Sequence, residues 1–114
     1  MNIKNAIILI TGGSSGIGKS TAKLLIGLGA KIAITGVDKE KLFSVAEEIG
    51  AFPIHADVSN DSDIDFTFNE VMNHYGKLNV LINNAGIGTH LPIEQLKRKD
   101  FESIFQVNVF GVAM

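Results

Sequence analysis

The sequence contains no cysteine, which removes disulfides, thiolate metal sites and cysteine nucleophiles together. Tryptophan is also absent, and tyrosine occurs once, at Tyr75. The only prolines, Pro53 and Pro92, fall where a short strand or a loop tolerates them. No internal repeat, low-complexity stretch or linker divides the 114 residues, so they make one domain at most. Ten Lys and Arg stand against twelve Asp and Glu, a formal net charge of −2 that draws the chain neither to nucleic acid nor to an anionic membrane. The early apolar run Ala6 to Ile10 is far shorter than the roughly 18 to 20 residues of a membrane span, so a soluble, cytoplasmic protein is expected. His55, His74 and His90 lack metal-ligand spacing, and no metal site is expected.

What is present is a hydrophobic content of 46% with 19% charged residues, the latter below the roughly 25% of an average globular chain, which calls for a compact core. Apolar runs at Ala6–Ile10, Lys31–Thr35, Ala51–His55 and Val80–Ile82 alternate with helical patterns. The first helix is expected to start near Gly16, with Ile17, Thr21, Leu24, Leu25 and Leu28 as its buried stripe and Gly29 ending it. In the second, Asp38 is a natural N-cap, Leu42, Val45, Ala46 and Ile49 form the stripe, and Gly50 suits a left-handed cap. In the third, Ser59 is expected to cap and Ile64, Phe68, Val71, Met72 and Tyr75 to face inward before Gly76. Strands that alternate with helices lie parallel with right-handed crossovers. The expected architecture is α/β: a three-layer, doubly wound parallel sheet of Rossmann type, about four strands in the order 3-2-1-4. In that order the loops after Ile10 and Ile82 flank the switch point, where ligands bind such sheets.

The turn Thr11-Gly12-Gly13-Ser14-Ser15-Gly16-Ile17-Gly18 follows a strand and opens a helix, the context in which unpaired N–H groups and the helix dipole hold a phosphate. Two chemistries fit it. Gly13 to Ser20 matches the G-x-x-x-x-G-K-[ST] pattern of a P-loop nucleotide hydrolase, in which Lys19 would reach terminal phosphates and Ser20 would ligate magnesium. That pattern also needs an aspartate ending an apolar strand, yet Val80 to Ile82 runs into Asn83 and Asn84. Gly12, Gly16 and Gly18 equally form G-x-x-x-G-x-G. With the Asp57-Val58 pair, the Asn83-Asn84-Ala85-Gly86 segment and Asn108 within Val-Asn-Val-Phe-Gly, all in this order, the chain resembles the short-chain dehydrogenase/reductase family along essentially its whole length. A third possibility is a non-catalytic interaction module that kept the scaffold.

The resemblance implies a NAD(P)-dependent oxidoreductase that interconverts an alcohol and a carbonyl. In it Gly12, Gly16 and Gly18 let the backbone approach the dinucleotide pyrophosphate, and Ser14 and Ile17 lie where cofactor contacts are expected. Asp57, with Val58 beside it, would accept from the adenine amino group, although an Asp here also suits an Asx turn. Asn83, Asn84, Ala85 and Gly86 would wall the cofactor. The acidic position at the end of the second strand holds Gly36, Val37 stands where NADP-preferring members often carry arginine, and Ser15 is not basic. Asp38, 20 residues after Gly18, fits the count for a carboxylate on the ribose 2′-hydroxyl and also fits a helix cap, so the choice between NAD and NADP stays open.

Asn108 falls on a helical stripe with Phe101, Ile104, Phe105 and Val112, which turns its amide inward as a structural clamp or as part of a proton relay; the resemblance favours the relay, a catalytic role. The Tyr-x-x-x-Lys pair and the serine that the chemistry needs are not identifiable, since the fourth residue after Tyr75 is Asn79 and the stripe assigns the Tyr75 ring to the core. The chain therefore reads as about the first half of such an enzyme, a truncated form that binds cofactor and does not turn over. With no fifth strand, Val80–Ile82 is expected to be an exposed edge and Val107–Met114 an uncovered apolar helix, both favouring a homo-oligomer.

Overall fold

The computed structural model describes residues 3–14 and 16–84 and the backbone of residues 106–109. Four strands and three helices alternate: β1 (Ile7–Thr11), α1 (Gly16–Gly27), β2 (Lys31–Gly36), α2 (Lys39–Ile49), β3 (Phe52–His55), α3 (Asp61–Tyr75) and β4 (Val80–Asn83), followed by β5 (Gln106–Val109). The sheet order is β3-β2-β1-β4-β5, with β1 to β4 all parallel as their alternation with helices requires. All five residues of β1 are buried, the signature of a strand covered on both faces. Ile8, Ile10, Ile32 and Ile34 face one core together with Ala22 of α1 and Leu42, Val45, Ala46 and Ile49 of α2. Ile7, Leu9, Ala33 and Ile54 face the other, closed by Val71, Phe68 and Tyr75 of α3. The layers are therefore helix, sheet, helix.

The second helix matches its sequence in full. Asp38 accepts from the Lys41 N–H at 3.2 Å as N-cap, and Gly50 takes a left-handed φ of 82° as its N–H donates to the Ala46 carbonyl. The first helix begins where expected but is rotated relative to the expected stripe. Gly18 and Ala22 are buried, Leu25 and Ile26 pack beside them, and Ile17, Leu24 and Leu28 are exposed. Small residues at 18 and 22 let the helix axis come close to the sheet, which decides the phase between two equally apolar faces. In the third helix Asn60, not Ser59, is the N-cap, its Oδ1 accepting from the Ser62 N–H at 2.9 Å, and Met72 is exposed while Thr67 takes a buried place.

Two expectations at the far edge are corrected. β4 is not an exposed edge, because residues 106–109 pair with it in antiparallel sense: Val80 opposite Val109, Leu81 opposite Asn108, Ile82 opposite Val107 and Asn83 opposite Gln106. Asn108 accordingly lies on a strand and not on the inward stripe of a helix. The physical reason is the row of unpaired N–H and C=O groups along β4, which a segment containing the β-branched Val107 and Val109 satisfies by extending. Expectations that fall on Ser15, Ala85, Gly86, His90, Pro92 and 110–114 lie outside the described residues.

Candidate functional site: the glycine turn at the carboxyl end of the sheet

Because β1 to β4 are parallel, their carboxyl ends converge on one rim, bringing Thr11–Ser14, Gly36–Asp38, Asp57–Val58 and Asn83–Asn84 to the same side of the sheet. The glycine turn is fixed there by side chains of neighbouring strands. The buried Thr35, at the end of β2, accepts from the Gly12 N–H through its hydroxyl at 3.0 Å, and its carbonyl accepts from the Gly13 N–H at 3.0 Å. On the other flank Thr11 donates its hydroxyl proton to Asn83 Oδ1 at 2.8 Å and accepts from the Asn84 N–H at 2.9 Å. Asn84 Nδ2 then donates to the Gly12 carbonyl at 3.3 Å. Sequence reasoning singled out Asn83 and Asn84 but passed over Thr11 and Thr35 as holders of the turn.

The glycines have distinct reasons to be glycine. Gly12 and Gly16 take φ of 67° and 57°, which few other residues adopt. A Cβ on Gly18 would overlap the Gly12 carbonyl and stand 2.6 Å from Asn84 Nδ2, so the start of α1 is pressed against the turn and the β4 loop at once. Gly13 is bare for packing: a Cβ there would overlap Ile34. Gly16 is the opposite case, since a Cβ there meets nothing within 4 Å among the described residues. Its backbone opens to space at the mouth of α1, which is the cradle a pyrophosphate needs. The residues present therefore fit the group.

Electrostatics single out the same helix end. α2 begins with Asp38 and Glu40, and α3 with Asn60, Asp61 and Asp63, so both offset their own N-terminal charge. α1 has no acidic residue in its first turn. Lys19, on that turn, is held 2.7 Å from Glu48 of α2, and this ion pair holds the Glu48 carboxyl below its usual range.

The remaining expected residues line the rim. Ile17 is half-exposed on the first turn of α1 and Val37 is exposed after β2, its carbonyl accepting from His55 Nε2 at 3.0 Å. Gly36 is crowded, because a Cβ there would stand 3.0 Å from Ser14 Oγ and 3.3 Å from Leu42 Cδ1. Asp57 forms an Asx turn, its Oδ1 accepting from the Ser59 hydroxyl at 2.6 Å and from the Ser59 N–H at 3.0 Å, and the two bonds hold its pKa below the usual carboxylate value. Val58 lines a cleft with Thr11, Phe68, Leu81 and Asn83, on the α3 face of β1 and β4. Tyr75 is far from this rim in its bonding: its hydroxyl donates to the Ile32 carbonyl at 3.5 Å, and burial raises its pKa, as suits a core ring. Among the described residues no group of three or more His, Asp or Glu converges as metal ligands, and no helix is long and apolar enough to cross a membrane.

Comparison with known proteins gives one family. The family model described as short chain dehydrogenase matches residues 6–114. A secoisolariciresinol dehydrogenase from Forsythia intermedia is 42% identical over 96% of this chain and 42% of its own length. A sorbitol dehydrogenase from Cereibacter sphaeroides is 33% identical over 97% of this chain and 44% of its own. Among solved structures, the 3-ketoacyl-(acyl-carrier-protein) reductase of Brucella melitensis complexed with NADH superposes with a TM-score of 0.73 at 35% identity, covering 90% of this chain and 43% of that one. The chain thus spans less than half the length of these relatives.

Proposed function

Because this chain belongs to the short chain dehydrogenase family, we propose that it is the dinucleotide-binding half of an oxidoreductase that interconverts an alcohol and a carbonyl. The observation that carries the proposal is the mouth of α1: an open glycine backbone at Gly16, no acid in the first turn, and a turn pinned by Thr35 on one flank and Asn84 on the other. The backbone of Gly12, Gly16 and Gly18, with Ser14, Ser15 and Ile17, holds the diphosphate of NAD or NADP. Gly36, Val37 and Asp38 border the adenosine ribose, Asp57 and Val58 the adenine, and Asn83, Asn84, Ala85 and Gly86 the nicotinamide side. A bound nicotinamide supplies or accepts a hydride as alcohol and carbonyl interconvert. Asn108 is proposed as the active-site amide of a proton relay, on the strength of its Val-Asn-Val-Phe-Gly setting.

The proposal extends to what the chain does not do by itself. Its single tyrosine is a core ring without a lysine four residues on, so the 114-residue chain binds dinucleotide and does not turn over. A cytoplasmic setting belongs to the same proposal and is checked by cell fractionation; self-association has lost the bare β4 edge that suggested it, rests on the family resemblance alone, and is checked by sedimentation. Titration with NADH and NADPH, followed by nicotinamide fluorescence, tests the binding; saturable binding of either supports the proposal and its absence refutes it. Lys19→Ala separates it from phosphate hydrolysis. With Lys19 occupied by Glu48, dinucleotide affinity is expected to stay within about twofold of the parent, as for a surface ion pair. Magnesium-dependent ATP binding that the substitution abolishes would favour a P-loop hydrolase instead.

A further inference from the structure

The carboxyl end of β3 carries a bond that neither the glycine turn nor the cap of α3 requires. Ala56 still belongs to the ladder with β2, its N–H donating to the Gly36 carbonyl at 3.2 Å. Asp57 follows, and because β3 is the last strand on its side of the sheet, the Asp57 N–H has no strand to meet. Asp63, on the first turn of α3, reaches back six residues and accepts that N–H on Oδ2 at 2.7 Å. An acidic or amide side chain at this helical position commonly closes onto the N–H of the cap itself, which here is Asn60. Asp63 passes the cap and ties Asp57, while the Asn60 N–H donates to the Asp57 carbonyl at 3.0 Å. Asp63 is fixed in turn from below, since the hydroxyl of the buried Thr67 donates to its carbonyl at 2.7 Å.

Asp57 is thereby held at its N–H by Asp63, at its carbonyl by Asn60 and at Oδ1 by Ser59. Its second carboxylate oxygen, Oδ2, has no hydrogen-bond donor among the described residues. The bonds from Ser59 keep the carboxyl below its usual range, so the free oxygen is an ionised acceptor at neutral pH. On the premise that the dinucleotide lies as proposed above, with its adenine at Asp57 and Val58, this oxygen is the one left for the base. An exposed aspartate on a loop gains little from such a contact unless its backbone is already fixed, because ordering it on binding offsets what the contact supplies.

We propose that Asp63 is a positioning residue for base recognition: by holding the Asp57 N–H it presents Asp57 Oδ2 to the adenine amino group, so that the site selects adenine over a base with a carbonyl at that position.

The probe is reduced nicotinamide hypoxanthine dinucleotide, in which a carbonyl oxygen replaces the adenine amino group. Its dissociation constant is compared with that of NADH by nicotinamide fluorescence, with thermal midpoints measured alongside. The parent is expected to bind NADH about tenfold more tightly, the size of one lost hydrogen bond to a charged acceptor. Asp63→Ala is expected to bring that ratio down to about two or less, chiefly by weakening NADH. Asp63→Asn, which keeps an acceptor oxygen, holds the ratio within about twofold of the parent. Asp61→Ala is the control for the helix, since Asp61 shares the acidic first turn of α3; it lowers the midpoint and leaves the ratio in place. Asp63→Ser, too short to reach the Asp57 N–H, takes the place of the alanine variant should that one fail to fold. A parent ratio near one, a ratio unmoved by Asp63→Ala, a ratio lost in Asp63→Asn, or a collapse shared by Asp61→Ala would overturn the inference while leaving the dinucleotide site standing. Binding of neither dinucleotide would instead overturn the proposed function, and the inference with it.

Discussion

The two ends of the sheet are built by different means. At the amino end the turns close mostly on backbone, with one side chain reaching across: Asn79 Oδ1 accepts from the Ile7 N–H at 2.8 Å. Asn5 N–H donates to the Gly29 carbonyl at 2.8 Å, Gly50 to Ala46 and Gly76 to Met72, each at 2.8 Å. Gly50 and Gly76 are there for a left-handed φ and have nothing within 4 Å of a would-be Cβ among the described residues. At the carboxyl end side chains knit the backbone across strands, Thr35 to Gly12, Thr11 to Asn83 and Asn84 to Gly12, and Gly13 and Gly18 are there because another group presses close. A turn whose only task is to reverse the chain needs conformational freedom. A turn that must offer its N–H groups to a ligand needs to be held open from outside, and the strand ends do this.

The contrast is most severely tested by Gly18→Ala. Its methyl would meet the Gly12 carbonyl and Asn84 together, which cannot both give way. The expected cost is about 1–3 kcal/mol or more in denaturant unfolding, with dinucleotide affinity lost. Thr35→Val keeps the shape and removes the acceptor for the Gly12 N–H. It should destabilise by about 1–3 kcal/mol and weaken NADH binding, measured by urea titration and fluorescence.

Gly50→Ala is the control from the opposite end. Forcing alanine into a φ of 82° is expected to cost about 1 kcal/mol and to leave NADH affinity unchanged. A loss of binding there would erase the distinction between the ends.

The smallest effect concerns the Asp57 turn. Its carboxyl is lowered chiefly by the Ser59 hydroxyl, then by the Ser59 N–H. A carboxyl lowered by folding contributes stability that is fully present above its ordinary value and lost as pH falls through the lowered one. Ser59→Ala should therefore flatten the acid-side fall of the thermal midpoint slightly, and leave neutral-pH binding intact.

How much of this was legible beforehand varies with the element. α2 was readable because three signals coincide: Asp38 as cap, a single apolar stripe and Gly50 as stop. The parallel order of β1 to β4 followed from strict alternation with helices. α1 was readable as a helix but not in phase, since Ile17, Leu24 and Leu28 repeat as regularly as the face that packs, and only the smallness of Gly18 and Ala22 decides between them. Adjacent Ser59 and Asn60 are both good caps, so the sequence alone does not fix which of them starts the third helix, and Asn60 does. Residues 101–112 carry a helical stripe, yet Val107 and Val109 suit a strand equally, and the partner that decides lies in β4.

At the site, the glycines, Asp38 and the two asparagines were legible as motifs. Thr35 was not: a β-branched residue ending a strand needs no further explanation in the sequence, and its bond to Gly12 spans 23 positions.

The central claim is that the N–H groups at the mouth of α1 grip a dinucleotide beside the β4 loop. An amide NMR titration with NADH addresses it directly. The predicted result is saturable shifts concentrated at Gly12, Gly16, Gly18 and Asn84, with Gly29, Gly50 and Gly76 unmoved. Shifts confined to the amino end, or saturable binding that leaves the glycine turn untouched, would contradict it.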